Sequence, residues 1–394
     1  MKKLIFTLFI LLTSWHVNAE ENPLPKVCLN MIVKNESKVI ERCLASAKPL
    51  IDYWVIVDTG SSDHTQEIIK NFMKDIPGEL HERPWVNFEH NRNEAFNLAK
   101  DKAEYLLFID ADDQFEISPD FVRPELNKDG YFLKINYGGS TYSRPQLVRT
   151  DMDWHWGGVV HEALVSHLAY DTGNLEGVSM RIIGGGDRSR DPKKFEKDAK
   201  LLEKALKKDP TNTRNLFYLA QSYRDAGKPK LALKHYEKRV AKGGWNQEVF
   251  WSLYQIALLQ EELKMPEEVV TKSYLKAFNY RPVRAEPLHR LASYYRLKEN
   301  YLMGYLISQY ALTIKQPDDP LFVESWMYDY GILLEHSICA YWIDKHSEAL
   351  QSSMQILAIK DLPDAVRECV NNNLRFVVPK LAAEKSEFQI PIAS

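Results

Sequence analysis

Blocks of apolar and polar residues alternate along the first 190 positions, and the alternation predicts an α/β fold. Several short apolar runs are continuous, as in strands that are buried on both faces. Between them, apolar residues recur at helical spacing. Strand, helix, strand, helix, strand is the order of a mostly parallel, Rossmann-like sheet with crossover helices. The predicted strands cover residues 27–33, 54–57, 105–109, 131–136 and 146–149, and the predicted helices cover 36–49, 62–74 and 91–103.

From about residue 191 the pattern becomes helical throughout, with turns at intervals. Small and aromatic residues recur with the ~34-residue period of tetratricopeptide repeats. We therefore predict an all-α repeat solenoid over residues 191–380, after an α/β domain over 26–190; an irregular helical bundle is the alternative. The residues at repeat positions are Leu216, Leu219, Ala220, Tyr223, Ala232 and Tyr236, then Phe250, Leu253, Tyr254 and Ala257, then Leu288, Leu291, Ala292, Tyr295, Gly304 and Ala311.

The N-terminus has the features of a secretory signal peptide. Lys2 and Lys3 precede an apolar run over residues 4–12, and a Val-Asn-Ala sequence ends at Ala19. We expect cleavage after residue 19 and a periplasmic, secretory or extracellular location; an uncleaved membrane anchor is the alternative. No other segment is apolar and long enough to span a bilayer. The sequence leaves a Cys28–Cys43 disulfide open, although buried free thiols are favoured.

Charge narrows the range of partners. The 394 residues carry a formal net charge of −3, with Lys and Arg spread along the chain. This balance argues against nonspecific binding to nucleic acid or to an anionic membrane.

Acidic residues stand where the predicted strands end. The apolar run ending at Ile109 is followed by Asp110, Asp112 and Asp113, and the second strand ends at Asp58. Ligands of open α/β sheets bind beyond the carboxyl ends of the strands, so these acids are expected to face one cleft. Carboxylates at Asp-x-Asp spacing suit a hard divalent cation that also holds phosphate oxygens. The alternative is an acidic loop that only caps a strand.

Other candidate donor-binding residues flank these acids. Asn35 and Glu36 follow the first strand, where they either contact a nucleotide or only begin the helix. The planar guanidinium of Arg92 matches phosphate oxygens.

The segment 154–162 has an unusual composition of two Trp, two His, two Gly and one Glu. Trp156 offers an aromatic plane that suits a sugar ring. His161 is a candidate metal ligand, and Glu162 a candidate general base. A core patch with a satisfied histidine is the alternative.

Taken together, these segments resemble family-2 glycosyltransferases of the GT-A fold that carry C-terminal tetratricopeptide repeats. The matching segments are Met31–Glu36, Val57–Thr65, Arg92–Ala95, Phe108–Asp113, His161–Glu162, Gly185–Pro192 and Phe217–Tyr223.

The resemblance implies inverting transfer from a nucleotide-sugar with Mn²⁺ or Mg²⁺. It would place Glu36 and Asp58 near the nucleoside, Asp110 near the ribose and metal, and Asp112 and His161 on the metal. An inverting attack needs a base at the acceptor, for which Glu162 is the first candidate and Asp113 the second.

The expected reaction is transfer from a nucleotide-sugar, with a UDP-sugar favoured, to a glycan or protein acceptor. A peptide partner in the repeat groove would favour a protein acceptor. One alternative is a non-catalytic repeat scaffold with a degenerate transferase domain. Another is a nucleotidyl- or phosphotransferase, although the sequence lacks the Gly-x-x-x-x-Gly-Lys loop of P-loop enzymes.

Overall fold

A computed structural model describes residues 26–168 and 170–387 of the chain. The predicted signal peptide, residues 1–19, lies outside the described residues. Among the helices that are described, none combines the length and apolar character needed to cross a membrane.

An eight-stranded sheet forms the N-terminal part and confirms the predicted α/β class. Its strand order is β3-β2-β1-β4-β7-β6-β10-β5, and β8 and β9 form a separate hairpin. The pairs β1–β2, β1–β4, β2–β3 and β6–β10 are parallel, whereas β7 runs antiparallel to β4 and β6. The strands are β1 Val27–Val33, β2 Tyr53–Asp58, β3 Gly78–Glu82, β4 Tyr105–Phe108, β5 Gln114–Ile117, β6 Gly130–Tyr137, β7 Ser140–Arg149, β8 His155–Gly157, β9 Ala163–Val165 and β10 Thr172–Arg181.

Three helices cover the two faces of the sheet, which is why its central strands are continuously apolar. They are α1 (Ile40–Ala47), α2 (Thr65–Phe72) and α3 (Phe88–Ala99). Asn30 is a polar residue inside this core, and its amide donates to the carbonyls of Ala95 (2.9 Å) and Val55 (3.3 Å). These bonds satisfy the buried amide and fix α3 against the sheet.

Within the part of the chain that the structure describes, ten α-helices follow, and most of them pack against their neighbours in pairs, as expected for repeats. The contacts join α5 to α6, α7 to α8, α9 to α10, and α11 to α12. Asn212 caps α5 by accepting a hydrogen bond from the backbone N–H of Asn215 at 2.9 Å. The helices are α4 Lys194–Lys208, α5 Thr213–Asp225, α6 Pro229–Lys242, α7 Asn246–Glu262, α8 Glu267–Tyr280, α9 Glu286–Leu297, α10 Tyr301–Ala311, α11 Ile332–Trp342, α12 His346–Leu357 and α13 Asp364–Glu387.

The segment 315–326 between α10 and α11, here called the strap, joins the repeats to the sheet. Val323 and Thr141 of β7 exchange both backbone hydrogen bonds, each 2.8 Å long. The Phe322 ring packs against Phe217 of α5 and Trp251 of α7. The strap therefore bridges the repeat helices and the sheet.

The strap explains why α7 is buried on nearly all sides. A helix buried all round needs neighbours on every face. The next repeat helices pack on part of α7, and the strap covers another part through Phe322 and a 2.7 Å hydrogen bond from Tyr254 to Glu324.

Among the described residues, Cys28, Cys43, Cys339 and Cys369 are all free thiols.

Candidate active site

Asp58 lies at the carboxyl end of β2 and is fully buried. Its Oδ1 accepts hydrogen bonds from the backbone N–H groups of Gly60 (2.8 Å) and Ser61 (2.7 Å). Gly60 has φ +105°, a conformation that glycine adopts without steric cost. Asp58 Oδ2 is buried and has no hydrogen-bond partner within the described part of the chain. This oxygen can accept a hydrogen bond from a ligand.

The loop after β1 is bonded to the loop after β2. The backbone N–H of Asn35 donates to Ser61 Oγ (2.9 Å), and Asn35 Oδ1 accepts from the N–H of Ser62 (2.8 Å). The N–H of Glu36 donates to Thr65 Oγ1 at 2.8 Å. The side-chain oxygen of Asn35 thus holds the two loops together.

The Glu36 side chain extends toward the acids that follow β4. Its Oε2 is buried without a partner among the described residues. Burial, together with the negative charge of Asp112, raises the pKa of Glu36 to about 7. Asp58, Asn35, Glu36 and Asp112 therefore lie along one edge of the sheet, where the parallel strands end.

Asp110 and Asp113 have contrasting environments. Arg92 donates to Asp110 Oδ1 at 2.5 Å. Burial acts to raise the pKa of Asp110, but the charges of Arg92 and Arg144 bring it below its ordinary value. Asp113 is 3% exposed, and its burial beside Asp110 and Asp112 raises its pKa to about 8. Asp110 is therefore ionised and paired at neutral pH, whereas Asp113 is mostly protonated.

A glycine-containing loop, residues 184–190, lies over Asp112. The N–H of Gly186 donates to Asp112 Oδ2 at 3.2 Å. Arg42 of α1 donates to the carbonyl of Asp112 (2.7 Å) and to that of Gly184 (3.4 Å), so it ties this loop to the strand end. An added Cβ at Gly186 would meet Asp112 Oδ2 at 2.8 Å and Glu36 Oε2 at 3.0 Å. A side chain at position 186 would therefore have to displace at least one of these two carboxylates.

His161 and Glu162 lie in the turn between β8 and β9. Glu162 is 8% exposed at its side chain, with Oε2 3.7 Å from Arg92 Nε. Burial raises the pKa of Glu162, and Arg92 opposes that effect. The His161 ring reaches solvent but stacks on Tyr218 of α5, with ring centroids 4.2 Å apart. Loss of solvation against the protein, followed by the charge of Arg214, lowers the pKa of His161.

Trp156 has a supporting position rather than the exposed platform expected from the sequence. It is 6% exposed, packs edge-on against Phe108 and lies under the Arg92 guanidinium, 4.9 Å from it. Asn93 and the Trp156 backbone exchange two 2.8 Å hydrogen bonds. The indole therefore orients Arg92 and does not present a face to a sugar.

The side chains present favour some of the predicted metal ligands over others. Asp112 is a predicted metal ligand, and Glu36, which was predicted to bind the nucleotide, offers a second hard oxygen donor near the same point; such a pair suits a divalent cation. Several cationic side chains lie near His161, an environment that disfavours a metal ion, and its role as a metal ligand stays a prediction. Nowhere in the described ranges do three or more His, Cys, Asp or Glu side chains form a metal-binding group.

Several residues at this site carry no signal in the sequence. Arg144 lies in mid-strand on β7, and Arg214 comes from the first repeat, yet both approach His161. Arg42 lies on an amphipathic helix, where a solvent-exposed position was the natural expectation. Only the motif-like run 185–192 could have drawn attention to the loop over Asp112.

Comparison with known proteins agrees with this geometry. Residues 28–128 match the family described as glycosyl transferase family 2. The chain is 25% identical over 235 residues to the SPbeta prophage-derived glycosyltransferase SunS of Bacillus subtilis, an alignment that covers 56% of this chain and 54% of that protein. The chain thus spans about half the length of this curated relative.

The helical part has its own similarities. A TPR repeat-containing protein of Synechococcus elongatus is 34% identical over 90 residues, which cover 23% of this chain and 21% of that protein. A tetratricopeptide repeat protein structure from Parabacteroides merdae aligns with a TM-score of 0.38 at 20% identity, over 50% of this chain and 72% of that one.

The motifs that follow β1, β2 and β4 all fall inside the matched range, and the acids that they contribute meet at one sheet edge. The resemblance found in the sequence is therefore confirmed. Residues 28–128 match the glycosyl transferase family 2, and the helical region after them is similar to tetratricopeptide repeat proteins.

Proposed function

We propose that this protein is an inverting glycosyltransferase that moves a sugar from a nucleotide-diphosphate sugar to a glycan or protein acceptor, with Mn²⁺ or Mg²⁺. A UDP-sugar is the favoured donor. The observation that carries the proposal is the buried, unpartnered Oδ2 of Asp58 at the same edge as Asp112.

The nucleoside is assigned to the Asp58 end of the sheet edge. An unpaired buried acceptor is unfavourable, and a ligand N–H would remove that cost. Uracil offers an N–H in its ring plane, and Asp58 is held in place by Gly60 and Ser61 to receive it. Glu36, next along the edge, lies beside the expected ribose and diphosphate.

The diphosphate is assigned to the Asp112 end. Asp112 and Glu36 would hold the divalent cation, which when bound would neutralise charge that develops on the leaving nucleoside diphosphate. Arg92, oriented by Trp156 and paired with Asp110, adds a fixed positive charge there. The backbone N–H of Gly186 donates to Asp112 and fixes the loop beside these groups.

Glu162 is the best candidate for the base that takes the proton of the acceptor hydroxyl. A raised pKa brings a carboxylate nearer to the strength that proton transfer at neutral pH requires. Asp113 is the weaker candidate, because its pKa of about 8 leaves it mostly protonated at neutral pH.

Calorimetry with nucleoside diphosphates and Mn²⁺, followed by a screen of nucleotide-sugars for metal-dependent hydrolysis, tests the proposal. We expect binding of a nucleoside diphosphate that needs the metal and that Asp112→Asn abolishes. Asp101→Asn, an exposed carboxylate outside the cleft, is the matched control. Full turnover in excess chelator, or normal turnover by Asp112→Asn, would refute the metal-dependent mechanism.

The scaffold alternative is less well supported. A peptide-binding solenoid needs an open groove, and here the strap packs against helices α5, α7 and α9. Because the strap lies against these helices, a peptide partner in the repeat groove is only our second proposal.

We also retain export through the N-terminal segment as a proposal. Mass spectrometry of the N-terminus of the protein purified from its producer would test cleavage after Ala19. An intact Met1 would point to the anchored alternative.

A further inference from the structure

Cationic side chains cluster around His161, where the catalytic domain meets the first repeat. Arg214 Nη2 donates to the His161 carbonyl at 2.9 Å, and its guanidinium lies 4.8 Å from the Tyr218 ring. Arg144 of β7 and Arg188 of the loop over Asp112 are close enough for their charges to act on both His161 and Asp110.

Two of these arginines are partly exposed and use fewer of their donors than the fully buried arginines of this protein. Across the described ranges, the Arg144 side chain forms neither an ion pair nor a hydrogen bond, and its Nε is buried. Arg214 Nε is also buried and unpartnered, and the nearest carboxylate, Glu248, is 4.0 Å away and bonded to Arg239.

Arg284 shows the contrasting case. It is fully buried, whereas Arg144 and Arg214 are partly exposed and so accessible to a ligand, and it donates to Glu286, to Asp319 and to two strap carbonyls. A buried guanidinium is normally held by such acceptors. The unused donors of Arg144 and Arg214 therefore point to an anionic ligand.

The position of the cluster indicates which ligand that is. In the strand order β2-β1-β4-β7, Asp58 marks the nucleoside end and Asp112 the diphosphate. Arg144 lies one strand further along, on β7, and Arg214 reaches in from the repeats. The acceptor must approach the sugar from this side, because the nucleotide occupies the other.

We propose that Arg144 and Arg214 bind a phosphate or carboxylate group on the acceptor, so that this enzyme glycosylates an acidic acceptor. The inference rests on the proposed function for the assignment of donor and acceptor sides. The planar fork of arginine suits both anions. Glu162, adjacent in sequence to His161, is then placed to reach a hydroxyl of the same acceptor.

Titration of inorganic phosphate into the full-length protein tests the proposal. Two states are compared at constant ionic strength: free protein, and protein saturated with Mg²⁺ and whichever of UDP, GDP and dTDP binds most tightly. An acceptor-side site binds phosphate in both states. Loss of phosphate binding in the saturated state would assign the arginines to the donor diphosphate and overturn the proposal.

Charge-removing variants identify the residues. Arg144→Gln and Arg214→Gln should each weaken phosphate binding at least tenfold, whereas Arg149→Gln, on the same strand but paired with Asp151, should not change it. Arg214→Lys keeps the charge and should restore part of the affinity, which a purely structural role would not predict.

Two further results would count against the site: no phosphate binding to either state, or equal affinity in all variants with unchanged melting temperatures. If no nucleoside diphosphate binds, the proposed donor site fails instead. The titrations of free protein and variants would then still decide whether the anion site exists.

Discussion

Arg284 provides a quantitative test of how the strap is held. It is fully buried, as is Glu286, and its guanidinium donates to Glu286 Oε1 (2.6 Å) and to the carbonyls of Leu321 (3.2 Å) and Phe322 (2.8 Å). Arg284→Met keeps the apolar stem but leaves the Glu286 carboxylate buried without its cation.

The expected loss follows from what remains around Glu286. Removing one partner of a buried pair costs about 3–5 kcal/mol. Glu286 would retain two hydrogen bonds, from the Tyr328 hydroxyl (2.6 Å) and from the N–H of Glu324 (3.3 Å). We therefore expect the lower end, about 3 kcal/mol, in the free energy of unfolding of the helical region.

Urea denaturation followed by circular dichroism at 222 nm measures this loss. Replacing both charges, in Arg284→Met with Glu286→Leu, should recover most of it, because an apolar pair has no charge to desolvate. Lys345→Met breaks an exposed ion pair with Glu348 and should change little. A loss below about 1 kcal/mol in Arg284→Met would show that the strap does not depend on this pair.

Three further predictions concern the candidate active site. Glu162→Gln should lower kcat by about 100-fold or more while donor binding by calorimetry is retained, and a nearly normal kcat would exclude Glu162 as the base. The pKa of Glu36 is raised to about 7 in the folded protein from an ordinary 4.5. Protonated Glu36 therefore contributes about 3 kcal/mol to the free energy of unfolding below pH 4.5, and this contribution is lost as the pH rises through 7. Metal-free melting curves should show that fall. Glu36→Gln should make the fall smaller by this amount, while the part due to Asp113, whose pKa is also raised, remains; identical pH profiles would contradict the assignment to Glu36. Gly186→Ala should weaken metal-dependent nucleotide binding at least tenfold, because its Cβ meets Asp112 Oδ2 at 2.8 Å. Gly157→Ala is the control, since its Cβ lies 3.8 Å from its nearest neighbour and should leave binding unchanged. Equal affinities in the two variants would mean that the loop moves easily to accept the methyl group.

The sequence identified the parts of the fold that depend on local pattern. The apolar run at 27–33 is β1, and the acids after the second and fourth strands lie at one edge, because parallel strands align their carboxyl ends. Strand-end chemistry is readable without coordinates when the strands are buried on both faces.

Contacts between residues distant in sequence were not predictable in the same way. The strap is extended and mixed in polarity, so it has no periodicity to detect. Trp156 was expected to be exposed because aromatic residues near glycines suit sugars, yet packing on Phe108 buries it. The metal role of His161 was predicted only because histidine is a common metal ligand. The cationic side chains around His161 belong to other elements, so the local sequence does not indicate them.

The backbone exchange between Val323 and Thr141 has a consequence for any attempt to divide this protein. Strand β4 pairs only with the C-terminal part of β7. The Val323–Thr141 exchange and the bond from the N–H of Ser143 to the carbonyl of Pro320 pair the N-terminal part of β7 along the same edge. A fragment ending near residue 190 would expose that part as a bare edge, and such edges promote association between chains. The transferase module as drawn on the sequence is thus not the unit that should be expressed alone, since its sheet is completed more than a hundred residues downstream.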